Sequence, residues 1–134
     1  MDKEVFFHGT SDKHLESIFT GGLKKPFLTI DKDIARYFAD EEVSEKGGYP
    51  VVLEVEVPLD HLEIDQPSID EPIDISKEEV QKALNDIAKK QPEWYSHSTD
   101  TVNIPRKRYD LSLDIVGSCR CNTTISPENI KVSE

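Results

Sequence analysis

One segment constrains the fold more than any other. Residues 51 to 58 read Val-Val-Leu-Glu-Val-Glu-Val-Pro. Successive side chains of a strand point to opposite faces, so Val51, Leu53, Val55 and Val57 line one apolar face. Val52, Glu54 and Glu56 line the other, which turns polar towards its far end. Pro58 lacks an N–H and closes the strand. A strand of this pattern belongs to a sheet that buries one face against a core and presents the other, at least in part, to water.

The rest of the chain supplies partners for that strand. Glu4 to Phe7 forms a short apolar strand leading into His8-Gly9-Thr10. Ser11 is placed to cap a helix carrying Leu15, Ile18 and Phe19, and Gly21-Gly22 ends it. Pro26 to Ile30 reads as a second short strand. Asp31 or Asp33 then caps a helix whose Ile34, Ala35 and Phe38 face inward, and Lys46-Gly47-Gly48 makes a turn. The stretch from Asp60 to Ile75 is acidic and proline-bearing, which reads as a surface loop. Ser76-x-x-Glu79 is a capping box, followed by Val80, Ala83, Leu84 and Ile87 at helical spacing before Pro92. Residues Trp94 to Arg108 show no period. Leu111 to Cys121 is apolar enough for one or two strands, and Ile125 to Val132 reads as a turn into a last strand. No repeat or low-complexity tract is present. The expectation is a single domain over residues 1–134, of α+β class, with two packed, mostly antiparallel sheets and a few short helices.

Composition bounds the partners. Sixteen Lys and Arg stand against 27 Asp and Glu, a net charge of −11. Such a surface repels nucleic acid, whose binding rests on Lys and Arg contacts to phosphate. Arg106, Lys107, Arg108 and Arg120 nevertheless concentrate positive charge in the last third. No apolar run reaches the roughly 18 residues of a membrane helix, and the charged start Met1-Asp2-Lys3-Glu4 lacks a signal peptide's apolar stretch. A cytoplasmic location is expected. Cys119 and Cys121, one residue apart, point the same way along an extended segment and cannot close an unstrained disulfide. Nothing around them is spaced like a zinc site, so no metal is expected and both read as reduced, partly buried thiols.

Candidate chemistry sits near the start of the chain. A histidine at a strand end, followed by Gly-Thr, can aim a ring nitrogen at a sugar hydroxyl while the bare glycine backbone admits a flat ring. Phe27 and, ten residues later, Tyr37 are two aromatics able to clamp a planar ring from both sides, and each also reads as a core aromatic. His14, His61 and His97 read as surface or loop histidines. Trp94 and Tyr95 cap the core or reach a ligand.

Taken together, His8-Gly9-Thr10, then Leu15, Ile18 and Gly22-Leu23, then Phe27-Leu28-Thr29, Asp31, Ala35 and Tyr37, then Val51 to Val55, resemble the front half of the ADP-ribosyltransferase superfamily. That superfamily includes the PARP- and diphtheria-toxin-like enzymes and, more distantly, tRNA 2′-phosphotransferase. The resemblance spans residues 5 to 60, with an echo in Ile125-x-Pro-Glu-x-Ile.

The resemblance implies that NAD+ is the substrate. His8 would hold the ribose, Gly9 would bond the nicotinamide amide through its backbone, and Thr10 would support the turn. Phe27, where the family has a tyrosine, and Tyr37 would stack on nicotinamide, and Thr29 would match the hydroxyl after the first aromatic. The family's late-strand glutamate, the electrostatic centre of catalysis, has no counterpart in Ser118-Cys119-Arg120-Cys121. Asp114 upstream and Glu128 downstream are the carboxylates left to take that role, each also readable as a surface residue. The implied activity is mono-ADP-ribosyl transfer from NAD+ to a macromolecular acceptor, most simply a protein, as in an effector. An RNA 2′-phosphotransferase-like enzyme, with Arg120 among its arginines, is the second reading. A non-catalytic NAD or ADP-ribose binder, or an acidic protein that blocks a basic partner, is the third.

Overall fold

The alternating segment becomes β4 (Pro50–Pro58), the second strand of a six-stranded sheet. The computed structural model describes residues 3–72 and 75–133. Met1-Asp2, Glu134, and Ile73-Asp74 of the acidic segment lie outside the described residues. β4 pairs along its full length with β1 (Lys3–Ser11), from Lys3↔Pro58 to Ser11↔Pro50. The first strand therefore does not stop at Phe7: it carries His8, Gly9 and Thr10 within it, because β4 offers partners that far.

After β1 the chain makes a 3₁₀ turn capped by Ser11, whose hydroxyl accepts from the Lys13 N–H at 3.2 Å. Next come α1 (Leu15–Gly21), β2 (Leu23–Lys24) and β3 (Phe27–Thr29). α2 (Lys32–Lys46) begins at Asp31, whose carboxylate accepts from the Asp33 N–H at 2.8 Å, and ends at Gly47 with φ +85°.

The acidic stretch is more ordered than a loop. It holds β5 (Leu62–Ile64) and α3 (Gln66–Asp70), since Leu62, Ile64 and Ile69 are buried and Asp65 caps the helix. α4 (Lys77–Lys90) starts on the Ser76 cap as the capping box requires. The segment without period folds into a hairpin of β6 (Tyr95–Ser96) and β7 (Thr101–Val102).

Leu111 to Cys121 departs from expectation. Its first half is α5 (Tyr109–Val116), closed by Gly117 in the left-handed region, and only Ser118–Cys121 is a strand, β8. A short apolar run suits either element. Here the helix wins because Leu111, Ile115 and Val116 then turn together towards the second core described below. β9 (Thr124–Ile125) and β10 (Ile130–Val132) complete the chain.

The result is the expected α+β class with antiparallel sheets and short helices. The main sheet runs β10-β4-β1-β3-β8-β5, and β2-β9 and β6-β7 form two-stranded ribbons. One sheet face is the main core, with Phe6, Leu28, Leu53, Val55, Val57 and Leu62 among its members, each contributing about 1.5–3 kcal/mol by leaving water. A second cluster, Ile64, Ile69, Val80, Ile104 and Ile115, joins the α3, α4 and α5 helices. Cys119 and Cys121 are both free, both buried, and both in the main core; burial pushes the Cys119 thiol up to about 12, so it stays protonated and inert.

The opposite sheet face carries α2, which lies so close to β1 that only glycine fits at position 9. A Cβ there would stand 1.8 Å from the Ala35 carbonyl oxygen and 2.6 Å from the Ala39 nitrogen. Among the described residues no helix is long and apolar enough to cross a membrane.

Candidate functional site

The sheet has one weak seam. β1 and β3 are adjacent yet paired at a single position, Phe7↔Thr29. Continuing that antiparallel register would set Gly9 opposite Phe27, but the strands have already parted there. The gap is a cleft of about 90 Å³ lined by Phe7, His8, Gly9, Phe27, Ala35 and Phe38, among others.

His8 spans the opening. Its Nδ1 lies 2.8 Å from the Phe27 carbonyl oxygen. A carbonyl can only accept, so Nδ1 carries the proton and Nε2 is left with its lone pair. Burial lowers the pKa of His8, while the Phe27 bond and the charge of Glu42 pull weakly the other way. At neutral pH the ring is therefore an uncharged acceptor at Nε2, suited to a hydroxyl.

The lowered pKa makes a prediction. In the unfolded chain His8 titrates near 6.5, so on acidification the unfolded state takes up its proton first. His8's contribution is intact above that value, declines as pH falls through the interval down to the folded pKa, and is flat below. Urea melts of the wild type and His8→Gln between about pH 7.5 and 5 should show the gap between them narrowing as the pH drops. A gap constant over that range would contradict the assignment.

The other sequence candidates are placed as follows. Phe27 is 38% exposed, with the Arg120 guanidinium 5.1 Å from its ring centroid. Tyr37 does not line the cleft. It sits on the outer side of α2, with its hydroxyl on Glu41, which raises its pKa. Phe38, one residue on, lines the cleft instead and meets Tyr37 edge to face at 5.9 Å. Thr10 is buried, and Thr29 is committed to the fold: its hydroxyl donates to the Gly117 carbonyl at 2.6 Å and accepts from the Asp31 N–H at 3.1 Å.

Neither candidate carboxylate lines this cleft. Asp114 lies on α5, because that segment is helical rather than extended, and borders a separate depression with Ile30, Lys32 and Gly117. Glu128 stands in the 3₁₀ turn before β10, beside Val5, Glu54 and Glu56. Arg120 on β8 lies opposite both Phe27 and Glu63, and Arg106 bonds Glu63 at 2.7 Å. The two guanidiniums line a cleft of about 320 Å³.

Of the remaining histidines, His14 is 3.0 Å from the Glu42 carboxylate and His61 is 3.3 Å from the Thr123 hydroxyl. His97 stacks edge-on to Tyr95 at 4.7 Å in the exposed hairpin. Trp94 is covered by Arg108, 5.6 Å from its ring.

Phe38 escaped the sequence reading as a site residue, although helical spacing from Ala35 points to it: Ala35, Phe38 and Ala39 lie on one stripe along α2. Asp65, buried without a charged partner among the described residues, had no such signal. Among the described residues no group of three or more His, Cys, Asp or Glu is arranged to hold a metal ion. No family model, curated protein or solved structure matches this chain.

Proposed function

We propose that this chain binds NAD+ with the nicotinamide ring entering the seam between β1 and β3, and that it transfers ADP-ribose to a protein acceptor. The observation that carries the reading is the parting of these two strands directly after Phe7↔Thr29, with His8 at the opening and Phe27 and Phe38 beside it. At about 90 Å³ the cleft is smaller than the roughly 150 Å³ cavity known to hold benzene. Ring entry therefore requires Phe27 or Phe38 to move, and the rest of the dinucleotide lies outside on the sheet surface.

In this reading the Nε2 of His8 accepts a ribose hydroxyl. The nicotinamide–C1″ bond breaks, its electrons leave with nicotinamide, and an acceptor nucleophile closes on C1″. Among the described residues, those lining the cleft include no carboxylate, and Glu42, the acid whose charge registers at His8, is held by His14 at 3.0 Å. A carboxylate to steady the ribosyl cation would have to come from outside the cleft lining. The second reading, RNA 2′-phosphotransferase-like chemistry, is favoured by Arg106 and Arg120 lining one cleft together with Glu63, Arg120 lying over the Phe27 ring, since two guanidiniums in one cleft suit a phosphate.

Incubation with NAD+ and cell lysate, reading nicotinamide release and ADP-ribose transfer, tests the proposal. Release that falls at least about a hundredfold in His8→Ala supports transfer. NAD+ binding without release, lost in His8→Ala, reduces the chain to a binding module. Neither binding nor release refutes the NAD+ reading, and 2′-phosphorylated RNA becomes the substrate to assay.

A further inference from the structure

A cleft in the second half of the chain is unrelated to the seam. It lies between α3, α4 and β7, measures about 410 Å³, and shares no lining residue with the His8 cleft. That volume falls in the range of small-molecule sites, roughly 300–1,000 Å³. Its floor is apolar, formed by Ile69, Val80 and Ile104 of the second core together with Leu84 and Val102.

The rim decides the ligand class. Gln66, Gln81 and Asn103 bring three carboxamides, and Asp70 and Asp100 bring two carboxyl groups. Several of these are oriented by neighbours: Gln66 donates to Asp70 at 2.9 Å, Gln81 donates to Asn85 at 2.9 Å, and the Tyr95 hydroxyl donates to Asp100. Among the described residues, one oxygen of each carboxyl group and the carbonyl oxygens of both glutamines remain as acceptors, and Asn103 offers donor and acceptor together.

An anionic ligand is disfavoured by Asp70 and Asp100, since Lys77, the cation on the rim, is drawn to Glu71 at 3.4 Å. A purely apolar ligand would strand the amides without partners. Among the described residues no aromatic side chain lines the cleft, so there is no surface on which to stack a base. A small ligand with an aliphatic C–H face and several hydroxyls satisfies both floor and rim. We propose that this cleft binds a neutral polyol, a monosaccharide in its ring form being the best fit.

The test is saturation-transfer NMR on the whole chain with glucose, galactose, ribose and myo-inositol, each at about 10 mM, a concentration suited to millimolar affinity. At least one should receive saturation. Gln81→Leu and Asn103→Leu, both at exposed positions, should each weaken that binding about tenfold with the melting temperature unchanged, while His8→Ala leaves it intact. No transfer to any of the four would overturn the proposal. So would transfer that survives both cleft variants, transfer lost in His8→Ala, or tighter binding of putrescine than of every polyol.

Discussion

Gly9→Ala should destabilise the chain by about 3 kcal/mol or more, at the upper end of what overpacking usually costs. The added methyl would meet the backbone of α2, at 1.8 Å from the Ala35 oxygen and 2.6 Å from the Ala39 nitrogen. No flexible side chain can swing away to relieve such a contact. Either α2 lifts off β1, or β1 shifts within its nine-residue pairing with β4, and both outcomes expose packed surface. Thermal melts should show a loss of roughly 10 °C. Gly21→Ala is the internal control: its Cβ would meet nothing within 4 Å, and its place in α1 makes alanine neutral or slightly stabilising. If Gly9→Ala melts with the wild type, α2 does not sit where the structure places it. The comparison also bears on the site, since glycine at position 9 has a packing reason independent of any ligand.

The second large effect is expected at Asp65→Ala. Asp65 is wholly buried, and its carboxyl oxygens accept from the Ser68 N–H at 3.2 Å, the Ser68 hydroxyl at 2.6 Å and the Ser118 hydroxyl at 2.6 Å. Its own N–H donates to the Ser112 hydroxyl at 2.9 Å, which in turn donates to the Ser118 carbonyl at 2.6 Å. One residue thus caps α3 and ties β5, α5 and β8 together. Truncation removes the cap and strands the buried Ser118 hydroxyl, while the half-buried Ser68 can turn to water, a loss of about 3 kcal/mol when the cap and the unsatisfied group are added. Asp65→Asn should cost less, because its remaining oxygen can keep the cap. Urea midpoints should fall in the order wild type, Asn, Ala with a constant slope. Equal midpoints for Ala and the wild type would show that the serines find other partners.

Much of the scaffold could be read directly. β4 announces itself by alternation, α4 by its capping box and stripe, and the end of α1 by Gly21-Gly22. Misreadings arose where a pattern admits two elements. Leu111 to Val116 is apolar and short, and only its packing against β5, β8, α3 and α4 selects helix over strand. The extension of β1 through His8 is set by β4, a partner more than forty positions away, which no local window contains. Of the two aromatics Phe27 and Tyr37, only Phe27 lines the cleft, since one position along α2 turns Tyr37 outward and its neighbour Phe38 inward. The seam itself is a failure of two strands to pair, and absence of pairing leaves no mark in either strand's composition. Asp65 was hidden for a related reason: its partners Ser68, Ser112 and Ser118 are small and polar, and their convergence depends on the fold being formed.

The order of the main sheet has a consequence for behaviour in concentrated solution. Its two long strands, β1 and β4, lie inside, while the outer positions are held by β5 and β10, three residues each. An unpaired strand edge is a template for another chain, and its hazard grows with its length. Here each rim offers only a few free backbone groups, on a molecule whose net charge of −11 repels its own copies. Resistance to edge-to-edge aggregation is thus built into the strand order, and it should weaken where salt screens the charge.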